Sequence, residues 1–234
     1  MTGSEHEEPD SKPLKYGASA ARLFDARTYV QKHDAPDYCA LAPYYAAQQT
    51  DSGCSAAAAA MVVNALRAER TLKADQELAT PSGVLKQVER RRWRVKTDDD
   101  GDGVSLDELA ALLPSACKGY GVAAEVELVR LDADAAKALV RLRELLRHNE
   151  RSHRDIIVVN FLQGIATGDP EGAVGHFAPV AAFDEEADRV LLMDPDRRWY
   201  EPFWISTKTL LESMAAVDES TTRPRGLLRV TRKE

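Results

Sequence analysis

The spacing of apolar residues changes near the middle of the chain. In the first half it is helical, and residues 54–70 are apolar on nearly all sides, which predicts a buried helix. Ser105 precedes Glu108 by three residues, the pattern of a capping box at a helix start. Three further helices are therefore predicted, over residues 84–92, 105–113 and 133–149.

Strand-like runs dominate the second half. Residues 123–131 alternate between apolar and polar, and shorter apolar runs follow at 155–161, 176–183, 189–193 and 226–230, with one more helix over 207–217. Helices followed by strands predict an α+β domain, in which a helical lobe packs against an antiparallel sheet. We expect one such domain over residues 16–234, after a disordered, polar lead-in over residues 1–15.

Composition narrows the function classes. The chain has 234 residues, 44% of them hydrophobic, with a net charge of -7. This hydrophobic fraction is sufficient for a sizeable core, and the acidity argues against nucleic acid or an anionic membrane surface as a partner. The acidic N-terminal segment does not resemble a signal peptide, and no apolar run approaches the roughly 20 residues that cross a bilayer. We therefore expect a cytoplasmic protein with reduced cysteines.

Cys54 is the first candidate for chemistry. It begins the predicted buried helix, where the positive end of the helix dipole and unpaired N–H groups favour a thiolate over a thiol. Such a position suits a nucleophile. Taken alone, however, a single cysteine is more often a small buried apolar residue, so Cys54 needs support from elsewhere in the chain.

That support comes from His176 and Asp194. His176 begins one predicted strand, and Asp194 ends the next. A hairpin centred on Glu185 would place the two residues opposite each other at the open end of the strands. A carboxylate in that place holds an imidazole towards a nucleophile. The alternative is an edge-strand histidine beside an unrelated aspartate, which the matched spacing disfavours.

Gln48 is a candidate oxyanion donor. Its amide NH₂ lies a few residues before Cys54 and can act together with the Cys54 main-chain N–H on a developing negative charge. The neighbouring Gln49 competes for this role on composition alone.

Several stretches together resemble a known family. They are YYAAQQTDSGCSAAAAAMVVNAL, VVNFLQG, GHFAPVAAFDEEADRVLLMD and the continuation DPDRRWYEPFWI. The order Gln, Cys, His, Asp is similar to that of papain-like cysteine peptidases, and these stretches most resemble the catalytic domain of phytochelatin synthases. The resemblance covers roughly residues 35 to 218, and Arg197, Tyr200, Pro202 and Trp204 are in register with a pattern of that family. No counterpart of the cysteine-rich extension of the plant enzymes is present, so we expect a bacterial-type chain with the catalytic domain alone.

The resemblance implies a papain-like fold with the active site between helical lobe and sheet. It also implies an enzyme that cleaves the Cys–Gly amide of glutathione through a γ-glutamylcysteinyl thioester and passes the acyl group to water or a second glutathione. Cys54, His176, Asp194 and Gln48 would be catalytic, and Arg197, Tyr200 and Ser55 would bind substrate. Ser55 stands where the family usually has glycine, and Ala181 and Ala182 replace paired glycines. No organic cofactor or resident metal is expected, and cadmium or zinc would enter only as a thiolate complex of the substrate.

Two other readings remain open. One is a papain-like peptidase or amide-forming acyltransferase that acts on another peptide or a specialised metabolite. The other is a non-catalytic, metal-binding or redox-sensing thiol protein, which three scattered cysteines disfavour. The acidic run after Thr97 imitates a calcium loop, but Leu109 stands where that loop needs a bidentate glutamate, so we interpret the run as a solvated turn. Cys39 and Cys117 are interpreted as structural or as weak ligands for thiophilic metals, and the oligomeric state is left undecided.

Overall fold

A computed structural model describes residues 15–68, 70–88 and 91–233. Seven strands form one antiparallel sheet in the order β1-β6-β5-β4-β3-β9-β2, and β7 pairs with β8 in a separate ribbon. The strands are β1 (Ala21–Arg22), β2 (Ala124–Val129), β3 (Asp155–Leu162), β4 (Gly175–Asp184), β5 (Arg189–Leu192), β6 (Phe203–Ser206), β7 (Val217–Asp218), β8 (Arg223–Pro224) and β9 (Gly226–Arg232). The predicted lead-in lies outside the described residues except for Lys15, whose main-chain N–H donates to the Trp199 carbonyl at 3.2 Å.

Each helix predicted from the sequence is present with different ends, and three short helices, over residues 28–32, 36–41 and 163–167, were not predicted. The helices are α1 (Thr28–Lys32), α2 (Pro36–Leu41), α3 (Cys54–Ala65), α4 (Pro81–Gln87), α5 (Arg91–Lys96), α6 (Leu106–Gly119), α7 (Ala135–Asn149), α8 (Gln163–Thr167) and α9 (Thr207–Ala215). The helix predicted over residues 84–92 is divided into α4 and α5. Thr80 caps α4 by accepting the Gly83 N–H at 3.0 Å, and Pro81 follows at the first helical position. Among the described residues, none of the helices has the length and apolar character needed to cross a membrane.

Helices cover both faces of the sheet, whereas the sequence predicted one helical lobe on a sheet. One core joins α2, α3, α4 and α6 to alternate side chains of β3, including Ile156 and Val158. A second core joins α7 and α9 to the intervening side chains, Ile157 and Val159. The β3 run is apolar at successive positions, which is the pattern of a strand buried on both faces. The predicted α+β class is confirmed, with an additional helical layer formed by the C-terminal half.

The β4–β5 hairpin has a different register from the predicted one. The ladder pairs Asp184 with Arg189, so its turn is centred after residue 186 rather than on Glu185. A bulge between Val180 and Ala182 then shifts the pairing by one residue, and β5 ends at Leu192. His176 and Asp194 are therefore not paired directly across the ladder, and Asp194 lies in the segment just beyond β5.

A half-buried acid at the end of α7 predicts a pH-dependent stability. Burial raises the pKa of Glu150 from 4.5 to about 7, although hydrogen bonds from the Phe183 N–H and Tyr29 hydroxyl act in the opposite direction. The folded state therefore binds a proton that the unfolded state has lost, and this contribution to stability disappears as pH rises through about 7. Between about pH 5 and 6.5, the free energy of unfolding should fall by up to about 1.4 kcal/mol per pH unit from this group.

Urea unfolding of Glu150→Gln over that range tests the point. The variant should have a shallower dependence on pH than the parent, by about one proton. His176, whose pKa is also raised in the folded protein, is present in both the parent and the variant, so its contribution to the slope cancels in the comparison. An unchanged slope would assign the proton uptake to another group, such as Asp37, whose pKa is also raised by burial.

Candidate active site

Cys54 is the first residue of α3, a twelve-residue helix in which every side chain is buried. Gly53 precedes it with φ near -83°, and the Gly53 carbonyl accepts from the N–H groups of Ala56 and Ala57, both at 3.1 Å. The Cys54 main-chain N–H belongs to the first turn, whose donors have no acceptor inside the helix. The thiol is 6% exposed, so it lies at a protected helix N-terminus.

The loop before Cys54 is fixed from outside α3. The Thr50 hydroxyl donates to the Thr97 carbonyl at 2.6 Å, and the Ser52 hydroxyl donates to the Asp98 carbonyl at 2.5 Å. The acidic run that imitates a calcium loop thus uses main-chain carbonyls to hold the loop that precedes the cysteine. No group of three or more potential metal-binding side chains occurs in the described part of the chain.

His176 and Asp194 meet despite the different register. His176 Nε2 lies 2.8 Å from Asp194 Oδ1, and the side chains are 3% and 0% exposed. The Asp196 N–H donates to the same oxygen at 2.8 Å, and the Phe161 ring packs edge-on against the imidazole with centroids 5.5 Å apart. These contacts fix the ring orientation of a buried histidine.

Cys54 is the second group that interacts with the His176 imidazole. Burial by itself lowers the pKa of His176, but the Asp194 carboxylate and a hydrogen bond with Cys54 raise it well above its ordinary value. An imidazole held between a thiol and a carboxylate can take the thiol proton and keep it as an imidazolium. The arrangement can therefore perform nucleophilic chemistry on a carbonyl.

Two hydrogen bonds join the helical side of the site to the sheet side. The Tyr45 hydroxyl donates to the Asp194 carbonyl at 2.7 Å, and the Gln48 N–H donates to the Pro195 carbonyl at 2.8 Å. The loop that carries Gln48 is thereby held against the segment that carries Asp194. The three residues singled out from distant parts of the sequence, Cys54, His176 and Asp194, lie together.

An open cavity of about 350 Å³ adjoins this site. We call it the Gln48 cavity, and its lining includes Gln48, Asp51, Asp99, Asp196, Arg197 and Arg198. Gln48 Nε2 lies 3.5 Å from the Asp51 carbonyl, at the outer limit of a hydrogen bond, and its Oε1 is buried without a partner. The Gln48 side-chain amide therefore makes only one weak hydrogen bond to the described part of the protein. Gln49 also lines the cavity, but its side chain is exposed.

The three residues assigned to substrate by resemblance differ in their surroundings. The Ser55 hydroxyl accepts from the Trp93 indole N–H at 3.1 Å and is buried, and the Tyr200 hydroxyl donates to Asp169 at 2.7 Å. Both hydroxyls therefore already have hydrogen-bond partners inside the protein. Arg197 is half-exposed in the Gln48 cavity and pairs with Glu201 at 3.0 Å, so it alone of the three faces open space.

Arg225 is a charged residue at the site that the sequence analysis missed. Its side chain is 10% exposed, its Nε is buried without a partner, and its carboxylate neighbour, Asp218, is 3.9 Å away. Burial lowers the pKa of Arg225, and charge interactions with Asp218 and with Cys54 act in the opposite direction. A Cβ on Gly175 would clash with its guanidinium, so the glycine before His176 makes room for it. In the sequence, Arg225 is distinguished only as the arginine directly before Gly226, the first residue of β9.

The other two cysteines lie apart from these contacts. Cys39 is exposed, and its thiol lies 3.6 Å from the Asp34 carbonyl. Cys117 is fully buried in α6, where burial raises its pKa to about 12. A thiol with that pKa stays protonated near neutrality and is unreactive.

Comparison with known proteins agrees with the geometry. A family model described as phytochelatin synthase matches residues 17–227. The chain is 29% identical over 136 residues to a glutathione gamma-glutamylcysteinyltransferase of Schizosaccharomyces pombe, covering 57% of this chain and 29% of that protein. It is 23% identical over 210 residues to glutathione gamma-glutamylcysteinyltransferase 1 of Arabidopsis thaliana, covering 87% of this chain and 39% of that protein.

The matched relatives are longer, so the chain spans about a third of their length. Among solved structures, the Pseudomonas avirulence protein AvrPphB overlaps 82% of this chain and 98% of its own, with 13% identity and a TM-score of 0.38. That likeness is weak, and the family assignment does not depend on it. With a family model matched over nearly the whole described chain, the protein belongs to the phytochelatin synthase family.

Proposed function

We propose that the protein is a cysteine acyltransferase or hydrolase that cleaves the Cys–Gly amide of glutathione. The observation that carries the proposal is the buried His176, held by Asp194 at 2.8 Å, together with Cys54 at the N-terminus of α3, whose interaction with the imidazole raises the pKa of His176. The names of the curated relatives, glutathione gamma-glutamylcysteinyltransferases, supply the substrate.

The first half-reaction forms a thioester. The Cys54 thiolate attacks the carbonyl carbon of the Cys–Gly amide, and the His176 imidazolium gives its proton to the leaving nitrogen. The C–N bond breaks, glycine leaves, and the γ-glutamylcysteinyl group remains on sulfur. Asp194 keeps the imidazole in position and stabilises its charge while it carries the proton.

Charge on the carbonyl oxygen needs donors that are already in place. The Cys54 N–H points out of the first turn of α3, and the weakly committed amide of Gln48 stands in the neighbouring loop. Two such donors stabilise a tetrahedral oxyanion more than they stabilise the ground-state carbonyl, which lowers the barrier.

Arg225 is our candidate for binding the donor substrate. A buried guanidinium with an unused Nε–H matches a substrate carboxylate, and it lies against Gly175, the residue before His176. Glutathione carries carboxylates at both ends, and the γ-glutamyl end also carries an ammonium group that suits the neighbouring Asp218.

The second half-reaction transfers the acyl group. Water gives γ-glutamylcysteine, and the amine of a second glutathione gives a longer peptide. Cadmium or zinc would act as part of the substrate, through a thiolate complex of glutathione. Chemistry that depends on a free thiolate suits a reducing compartment, and the cytoplasm stays our expectation for this chain.

Product analysis tests the proposal. Pure protein incubated with glutathione, with and without cadmium, should release glycine and form either γ-glutamylcysteine or a peptide lengthened by one γ-glutamylcysteinyl unit, identified by mass. If the folded protein leaves glutathione intact but cleaves other peptides, the same catalytic residues act on a different substrate, and the glutathione assignment is wrong.

Replacing Gln48 tests the oxyanion site. Gln48→Ala should lower kcat for glycine release by about 10²–10³, because one preorganised donor is lost at the step where charge develops. Gln49→Ala is the matched control, since it removes the adjacent amide from the same cavity and should leave kcat within about twofold. A large loss in Gln49→Ala with none in Gln48→Ala would reverse the assignment.

A further inference from the structure

The helix that carries the nucleophile begins without a capping side chain. Its N-cap residue is Gly53, which has no side chain to accept from the N–H groups of the first turn of α3. A Cβ on Gly53 would lie 2.8 Å from the Thr50 hydroxyl oxygen, so a larger residue has no room there. Helix ends fray unless other contacts hold them. The orientation of Cys54, the first residue of α3, therefore depends on contacts from outside this helix.

One short segment supplies such contacts on both sides of the cysteine. We call residues 93–98 the brace segment, which ends α5 and begins the acidic loop. Before the cysteine, the Thr97 carbonyl accepts from the Thr50 hydroxyl at 2.6 Å. After the cysteine, the Trp93 indole N–H donates to Ser55 Oγ at 3.1 Å. The same segment therefore holds the chain before and after the nucleophile.

The hydrogen bond between Trp93 and Ser55 is fully enclosed. Both residues are 1% exposed, so water does not compete for either group. Ser55 is joined to Cys54 by the peptide bond and belongs to the same helical turn. Because of this link, a displacement of Ser55 is passed directly to the cysteine.

The brace segment is itself anchored to the start of α6. Lys96 Nζ lies 2.8 Å from both carboxylate oxygens of Glu108, the residue that completes the capping box of α6. The Gly103 N–H donates to the Lys96 carbonyl at 2.8 Å, and the Thr97 hydroxyl donates to the Trp93 carbonyl at 2.9 Å. These contacts give Trp93 a fixed support from which it can hold α3.

We propose that Trp93 is a positioning residue for the nucleophile, which acts through Ser55 and, with the rest of the brace segment, holds Cys54 in the orientation for attack. The inference rests on the proposed function, since it concerns the same nucleophile. It gives Ser55, assigned to substrate by the family resemblance, a role in supporting Cys54. A reacting group misplaced by about 1 Å can cost about 10²-fold in rate, while substrate binding is unaffected.

The separate effects on kcat and KM test the inference. Ser55→Ala and Trp93→Phe should each lower kcat for glycine release by about tenfold, with KM for glutathione within about twofold, because each variant breaks the same hydrogen bond. The double variant should also lose about tenfold, whereas independent effects would multiply to about a hundredfold. A multiplied loss, or a raised KM with unchanged kcat in Ser55→Ala, would overturn the inference.

Trp204→Phe is the matched control for the volume that Trp93→Phe removes. Trp204 is 2% exposed, and its indole N–H has no hydrogen-bond partner in the described part of the chain. The control variant therefore loses the same atoms from the core without breaking a hydrogen bond, and it should keep kcat within about twofold. An equal loss of kcat in Trp204→Phe and Trp93→Phe would make Trp93 an ordinary core residue.

Ser52→Ala keeps the inference falsifiable if the two buried variants fail to fold. Ser52 is half-buried in the loop before Cys54, and its hydroxyl donates to the Asp98 carbonyl of the brace segment at 2.5 Å. Its loss should lower kcat by about threefold and leave KM unchanged, as expected for a more exposed hydrogen bond. An unchanged kcat in this variant would contradict the positioning role of the brace segment.

Alkylation of Cys54 by iodoacetamide gives a readout without glutathione. Measured by mass on the Cys54 peptide, it should be about fivefold slower in Ser55→Ala and Trp93→Phe than in the parent, since the thiol no longer meets His176 in the same geometry. Slower alkylation in these variants of a protein that releases no glycine would retain the positioning role and reject the glutathione function. Glycine release with kcat and alkylation unchanged in both variants would reject only the inference.

Discussion

Cys54→Ala is expected to reduce glycine release from glutathione by about 10⁶-fold, to the uncatalysed background. The thiolate is the only atom in the proposed mechanism that forms a bond to the substrate, so no neighbouring group replaces it. The fold should survive, because Cys54 is the first residue of α3 and the helix beyond it is already held by a buried apolar surface. Steady-state kinetics, with circular dichroism to verify folding, measures both points.

The two other cysteines are the matched controls. Cys39→Ser changes an exposed thiol, and Cys117→Ser changes a buried one on another helix. Both should retain activity, although Cys117→Ser places a hydroxyl in an apolar core and should lower stability by about 1–3 kcal/mol. An inactive but folded Cys39→Ser or Cys117→Ser would reopen the choice of nucleophile.

His176→Ala should cost nearly as much as the loss of Cys54, because it removes the group that takes the thiol proton and returns it to the leaving nitrogen. Asp194→Asn should lower the rate of glycine release less, by about 10²–10⁴-fold. The amide oxygen can still accept from His176 Nε2 and from the Asp196 N–H, which both approach Asp194 Oδ1 at 2.8 Å, so the ring orientation is kept while the charge is lost.

The pH profile separates orientation from charge. Asp194 is one of the two groups that raise the pKa of His176, so its neutral replacement should lower that pKa. The imidazolium would then be lost at a lower pH, and the alkaline limb of the kcat/KM profile should move to lower pH in Asp194→Asn. A rate loss without any movement of that limb would make Asp194 a purely structural partner of the ring.

Elements with a strong local sequence pattern could be predicted, whereas the register in which strands pair could not. The capping box of Ser105 and Glu108 forms as expected, because its contacts lie within one turn of α6. The β4–β5 hairpin was placed wrongly, since a bulge near Ala181 and a wider turn leave no clear trace in an apolar run. The second helical layer was missed, although the continuous apolar run over residues 156–159 is typical of a strand buried on both faces, because such a run does not show which helices cover the second face.

The same distinction applies to the site. Cys54, His176 and Asp194 stand out because their order, and the position of Cys54 at a helix start, carry chemical meaning in the sequence. Arg225 does not stand out, since its importance comes from burial beside Gly175 and from its approach to Cys54, which only the folded chain reveals. Ser55 and Tyr200 were assigned to substrate from the family resemblance alone, and the structure shows that their hydroxyls have partners inside the protein.

The central claim is a thioester on Cys54, and acid quenching measures it most directly. Protein mixed with glutathione for less than one turnover, quenched in acid and digested should carry one γ-glutamylcysteinyl unit on the peptide that contains Cys54, with free glycine equal to the amount of adduct. The Cys39 and Cys117 peptides from the same digest should remain unmodified. Glutathione consumption with no adduct on Cys54 and no glycine release would contradict the account.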